Sequence, residues 1–212
     1  MGRDMRDLRH ELLLRLAGRL PDRQLWRFRD WLAGDADAVL ARMLPRALAH
    51  GRLGLTDHEH ELLTEGFLPA GADPVLVAAI PALPEEPEPV HVFGVSPAAV
   101  SDVPVEVPHG ADSTPVVLGA MLRGRAGIRE VRFTWRAPAT GGRPGRVLLV
   151  SAESERISLT AELQRVLRAL GEREPRVEVV PPSMTLTAYH RAAWVGSEPV
   201  VTGLHHGQLA HV

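Results

Sequence analysis

Six of the chain's 18 prolines fall between Pro69 and Pro89, in the run PAGADPVLVAAIPALPEEPEP. Proline has no backbone N–H and disfavours the α region for the residue before it, so neither a long helix nor a central strand threads such a run easily. The stretch predicts a semi-extended connector, residues 69–89, between two unlike halves. Residues 1–68 are rich in arginine with helical spacing; residues 90–200 hold valine-rich runs bounded by Gly and Pro. A Gly- and His-containing tail, 201–212, reads as flexible.

Composition narrows the function classes. A length of 212 residues suits one or two domains, and 45% hydrophobic with 24% charged residues is ordinary for a globular chain. The formal net charge of −2 gives no overall attraction to nucleic acid or anionic lipid. Cysteine is absent, which removes disulfides, thiol nucleophiles and Cys-based metal sites. Lysine and asparagine are absent too; with the excess of Arg, Ala, Gly, Pro and Val this is the codon bias of a GC-rich genome, as in actinobacteria. Without lysine there is no Schiff base and no Walker-type phosphate lysine. The charged N-terminus makes a poor signal peptide, and no apolar run approaches ~20 residues, so a cytoplasmic protein without a membrane partner is expected.

The first half reads as a small bundle of four helices. Leu8, Leu12, Leu16 and Leu20 recur every four residues, predicting a helix that ends before Pro21. A second opens at Pro21-Asp22 with Leu25, Phe28, Trp31 and Leu32 on its stripe. A third follows Asp35, where Pro45 should kink or shorten it. Thr56 and Glu59 form a capping box for the fourth. Trp26 lies off the main stripe, flanked by Arg27 and Arg29; the three are the first candidate partner surface, the alternative being a plain bundle core. Acidic residues nearly match the arginines over 1–60, and DHEHELLTEG is acidic, which argues against a DNA-reading helix.

The second half predicts short strands at 90–95, 103–107, 128–137, 146–152 and 176–180. Helices are expected from about Ser113 to Leu122, from Ser158 to Leu170, and from Thr185 or Thr187 to Val195. The expected fold class is α+β: a helical bundle followed by a small sheet with helices on one face. Arg132 and Arg136, with Arg129 nearby, should project from one strand and could take carboxylates or phosphates of a partner; a plain solvated face is the alternative.

The strand pair REVRFTWRA and GRVLLVSA, the helix LTAELQRVLRAL and the run VEVVP before a last short helix give an order of elements over residues 113–200 that resembles the C-terminal domain of the SseB (enhanced serine sensitivity) family. That family is bacterial and intracellular, and the resemblance implies a binding domain with no catalytic residues to carry over.

No catalytic motif is complete. His58 and His60 lack the i, i+4 spacing of a zincin pair, since Leu62 stands where the second His is needed. The loop TGGRPG joins two strands and holds no lysine, so it is a hairpin rather than a phosphate cradle. His205, His206 and His211 receive no site. The expectation is a non-catalytic interaction, scaffold or regulatory protein, without metal or cofactor, that meets protein partners or its own copies. Three alternatives stay open: a self-assembling structural protein, a hydrolase or transferase with a pocket between the halves using His190 and Glu153, and a nucleic-acid-binding regulator.

Overall fold

The structure is a computed structural model that describes residues 4–103 and 113–200. Its helices are α1 (Met5–Arg15), α2 (Asp22–Ala33), α3 (Asp37–His50), α4 (Asp57–Phe67), α5 (Pro74–Ala78), α6 (Thr114–Leu122), α7 (Arg156–Ala169) and α8 (Ala188–Val195). The strands are β1 (His91–Gly94), β2 (Ile128–Pro138), β3 (Gly145–Ala152), β4 (Arg176–Val180) and β5 (Glu198–Pro199). The class is α+β. The strand expected over 103–107, apart from Val103, and the tail 201–212 lie outside the described residues.

Helix α1 is the axis of the helical half. Leu8, Arg9, His10, Leu12, Leu13 and Leu14 are all buried, so this helix is covered nearly all round rather than along one stripe. Arg9 satisfies its guanidinium on Gly66 O at 2.7 Å and on Asp37 at 3.0 Å. The helix ends at Arg15, five residues before the leucine pattern does. Gly18 sits at φ +75, and a Cβ there would lie 2.5 Å from the Tyr189 ring, so the turn that closes α1 also seats α8.

Helix α3 runs unshortened through Pro45 from Asp37 to His50. At α4 the capping box forms as its residues dictate: Thr56 Oγ1 accepts from Glu59 N, and Glu59 accepts from Thr56 N at 2.9 Å. Thr56→Ala should therefore cost about 1 kcal/mol, read as a fall of a few degrees in Tm.

The proline-rich segment is not a free connector. Asp73 caps α5 by accepting from Val75 N, and Pro74 is well suited to the first turn because its fixed φ is already helical. Ala72, Val77 and Ile80 join the buried core of the bundle. Leu55 then brackets the chain, its N–H donating to Pro81 O at 2.8 Å and its carbonyl accepting from Leu83 N at 2.7 Å. Prolines therefore mark the turns of a fastened segment as far as Leu83; residues 84–88 are exposed.

The sheet has the order β1-β2-β3-β4, with β5 pairing β2 beyond the end of β1. β2 and β3 form an antiparallel hairpin with Phe133 opposite Leu148, and β3 and β4 run parallel, joined by α7. Leu148, Val150, Val177 and Val179 face a core roofed by α6 and α7. The alternate residues Val147 and Leu149 meet Ala193 of α8, so the second face is covered as well. Helix α7 begins at Arg156 behind Glu155, a left-handed N-cap at φ 54. Ser158, the expected first residue of this helix, lies within its first turn and donates to Glu155 O at 2.9 Å.

Candidate functional site

Helix α2 presents Asp22, Leu25, Arg29 and Leu32 at the i, i+3, i+7, i+10 spacing of one helix face. Its two charged members, about two turns apart, each reach the sheet.

At Arg29 the guanidinium is 2% exposed. Nη2 donates to Glu178 Oε2 at 2.6 Å, while Nη1 donates to Glu178 Oε1 at 3.0 Å and to Val177 O at 2.6 Å. Glu178 lies in the middle of β4 and is 1% exposed. Burial alone would raise its carboxyl; the Arg29 charge and a hydrogen bond with His190 overcome this and hold it below the ordinary carboxylate range. His190 Nε2 lies 3.2 Å from Glu178 Oε2, and its Nδ1 lies 2.7 Å from Thr187 Oγ1.

Acid, imidazole and hydroxyl in this order have the connectivity of a hydrolytic triad. The environment decides against that chemistry. His190 is 0% exposed, Thr187 is 2% exposed, and the Thr187 oxygen is the N-cap of α8, accepting from His190 N. A nucleophile that cannot meet solvent and already caps a helix has no substrate to attack.

At Asp22 two guanidiniums converge on one carboxylate oxygen, Arg136 Nη2 at 2.5 Å and Arg176 Nε at 2.6 Å. Burial would raise the Asp22 carboxyl, and the two arginines hold it low instead. Arg136 also donates to the Tyr189 hydroxyl at 3.1 Å. Around Tyr189 stand His91 and Phe93 of β1, edge-on at 6.2 and 5.1 Å between centroids.

Between these two clusters runs the outer edge of β4. Its carbonyls at Val177 and Val179 would be open to a foreign strand. Arg29 takes the first, and His10 Nε2, 2.9 Å from Val179 O, takes the second. A carbonyl can only accept, so His10 carries its proton on Nε2. Burial, together with the Arg29 and Arg156 charges, pushes its pKa down to about 4. These contacts hold the helical half against the sheet edge.

An open groove of about 440 Å³ lies beside this junction, lined by Asp7, His10, Glu11, Arg129, Glu153 and Arg156 among others. Most of its charges are paired: Arg156 with Asp7 at 2.8 Å and Arg129 with Glu153 at 2.5 Å within the lining, and Glu11 with Arg15 at 2.8 Å. Among the described residues, no group of three or more His, Asp or Glu is placed to hold a metal ion. Nor does His190 pair with Glu153: one is sealed against Glu178, the other lies at the surface with Arg129.

No family model matches the chain, and no solved structure matches it. Among curated proteins it is similar to a magnesium-chelatase subunit of Chlorobaculum parvum, 30% identical over 183 residues that take in 74% of this chain and 14% of the relative. The chain thus spans about one seventh of the length of that relative.

Of the five residues expected at a partner surface, Arg29 and Arg136 are corrected outright. Both are buried, one on Glu178 and the other on Asp22 and Tyr189. An arginine on an apolar stripe was the available signal for Arg29, and a lone acid inside VEVV was the signal for its mate. Arg132 is partly buried, donating to Ser197 Oγ at 2.6 Å, to Ser197 O at 2.9 Å and to Glu130 at 2.6 Å. Arg27 is exposed. Trp26 is partly buried beneath Arg168, whose guanidinium carbon stands 4.5 Å from the ring centroid.

Proposed function

We propose that this is a non-catalytic, cytoplasmic protein–protein interaction or scaffold protein of a GC-rich bacterium, its second half SseB-like. The observation that carries the reading is where the acid–base groups go. Glu178, His190, His10 and Asp22 are spent on holding helices to the sheet, which leaves Trp26, Arg27 and Arg168 as an aromatic and cationic feature at the α2–α7 surface. Aromatic and arginine side chains of this kind dominate protein interfaces. Similarity to one stretch of a much longer chelatase component supports a part played within a larger assembly.

Crosslinked capture from the native cell tests this. Trp26→Ala should reduce recovery of the bound protein at least tenfold. Arg27→Glu, which leaves the packing untouched, should reduce it several-fold. Undiminished recovery with both variants, each confirmed folded by its melting curve, removes the proposed anchor.

A further inference from the structure

Helices α2 and α7 carry exposed arginines along their shared seam: Arg23 and Arg27 on the first, Arg165 and Arg168 on the second. Asp22 reaches Arg176 at the start of β4 and Arg29 reaches Glu178 farther along, so α2 runs with β4. Helix α7 returns the chain from β3 to the parallel β4 and so runs against it. The two helices are therefore antiparallel, and the last turn of α7 lies beside the first turns of α2, with Arg168 over Trp26. Arg23 and Arg27 are i, i+4 neighbours, and Arg165 and Arg168 are i, i+3 neighbours, so two short cationic rows border the seam that holds Trp26.

These arginines lack acids. Among the described residues none of the four lies within ion-pair reach of a carboxylate, although Arg6, Arg9, Arg15 and Arg19 all do. Arg165 donates to Ala161 O of its own helix, and Arg168 lies on the indole. One acid, Asp30, shares the α2 face, and at the margin Glu172 and Glu174 flank Arg173 in the turn after α7. Beneath the rows the seam is incomplete. Trp26 Nε1 and Gln164 Oε1 are buried without a hydrogen-bond partner among the described residues, and Gln164 is 2% exposed. Native interiors leave few such atoms.

We infer that this seam takes an acidic segment of a partner protein, whose Asp or Glu carboxylates meet the arginines in charge-assisted hydrogen bonds. The inference rests on the α2–α7 surface proposed above and names the partner chemistry that fits it. Stacking on Trp26 covers one face of the Arg168 guanidinium and leaves its in-plane N–H groups for a carboxylate. A nucleic acid fits less well. Base stacking needs an open aromatic face, and the Trp26 ring is half-buried and already carries Arg168. Asp30 and the overall charge of −2 also oppose a phosphate backbone.

Fluorescence anisotropy tests this with a labelled peptide of about 12 residues carrying Glu at i, i+4 spacing. The wild-type chain should bind it at low salt and lose about tenfold in affinity once salt screens the exposed pairs. Its Gln counterpart should not bind. Arg27→Glu/Arg165→Glu should weaken binding by about tenfold or more, and Asp30→Asn should tighten it several-fold, melting curves confirming each fold.

Arg42→Glu/Arg46→Glu makes the same change of charge at exposed positions of α3 and should bind as the wild-type chain does. An equal loss there would mean that bulk charge draws the peptide, and the inference falls. Tighter binding of a single-stranded oligonucleotide of equal charge also overturns it. If the peptide fails to bind while Trp26→Ala still lowers capture from the cell, the surface stands and its acidic partner does not.

Discussion

Glu178→Ala is expected to cost about 3–5 kcal/mol, the loss seen when one partner of a buried ion pair is removed. Glu178 and Arg29 are both almost fully buried and joined by two hydrogen bonds. Without the carboxylate, Arg29 keeps its charge in a site with no counter-ion, and His190 Nε2 loses the acceptor at 3.2 Å. Two-state domains are stable by only ~5–15 kcal/mol, so the substitution removes at least about a fifth of the total. Urea midpoints should fall accordingly, and Tm by roughly 10 °C at the few degrees per kcal/mol typical of this size.

The double variant Arg29→Met/Glu178→Leu separates pairing from packing. If the pair mainly fixes how the helices sit on the sheet, an apolar replacement of similar volume should recover most of the loss. A single-variant loss below about 1 kcal/mol would mean that water reaches the pair and that the junction is not sealed.

Elements with strong periodicity were readable from the sequence. The β2–β3 hairpin, the helix and strand that follow it as α7 and β4, and the capping box at Thr56 all lie where alternation, helical stripes and cap chemistry put them. The misreadings share one physical cause: local rules assign each polar or proline residue to solvent or to a break, while tertiary contacts supply it with partners. Pro74 starts a helix. Arg9 and Arg29 find carbonyls and carboxylates inside the fold, 57 and 149 residues away in sequence. A guanidinium can be buried only when several acceptors converge on it, and convergence across such separations leaves no trace in a local pattern. The candidate surface suffered from the same gap. Arg27 is exposed and Trp26 half-buried under Arg168, while Arg29, two residues beyond Arg27, is turned inward.

Acid should weaken the molecule before its carboxylates are protonated. His10 is held at about 4 in the folded chain, against 6.5 for the free side chain, because charging it would place a cation in a fully buried site near Arg29 and Arg156, which outweighs the opposing hydrogen bond to Val179 O and the smaller influence of Asp7. Between those two values the unfolded chain binds a proton that the folded chain refuses. Stability from this group is therefore complete above about pH 6.5 and falls as the pH drops toward 4, by about 3 kcal/mol in all. His91, also lowered to about 4 by burial first and the Arg136 charge second, acts in the same direction. Glu178 and Asp22 are depressed carboxylates whose contribution persists above the ordinary carboxylate range and vanishes only as the pH falls through their folded values. The histidine window thus comes first and the carboxylate window below it. His10→Gln keeps an amide N–H for Val179 O and removes the titration, so its stability should fall less steeply than that of the wild-type chain between pH 6.5 and 4.5. Denaturant unfolding at half-unit steps measures both slopes; parallel curves would show that protonating His10 does not strain the contact between α1 and β4. A shallower His10→Gln curve with unchanged stability at pH 7.5 would assign the acid sensitivity to charging this one buried imidazole.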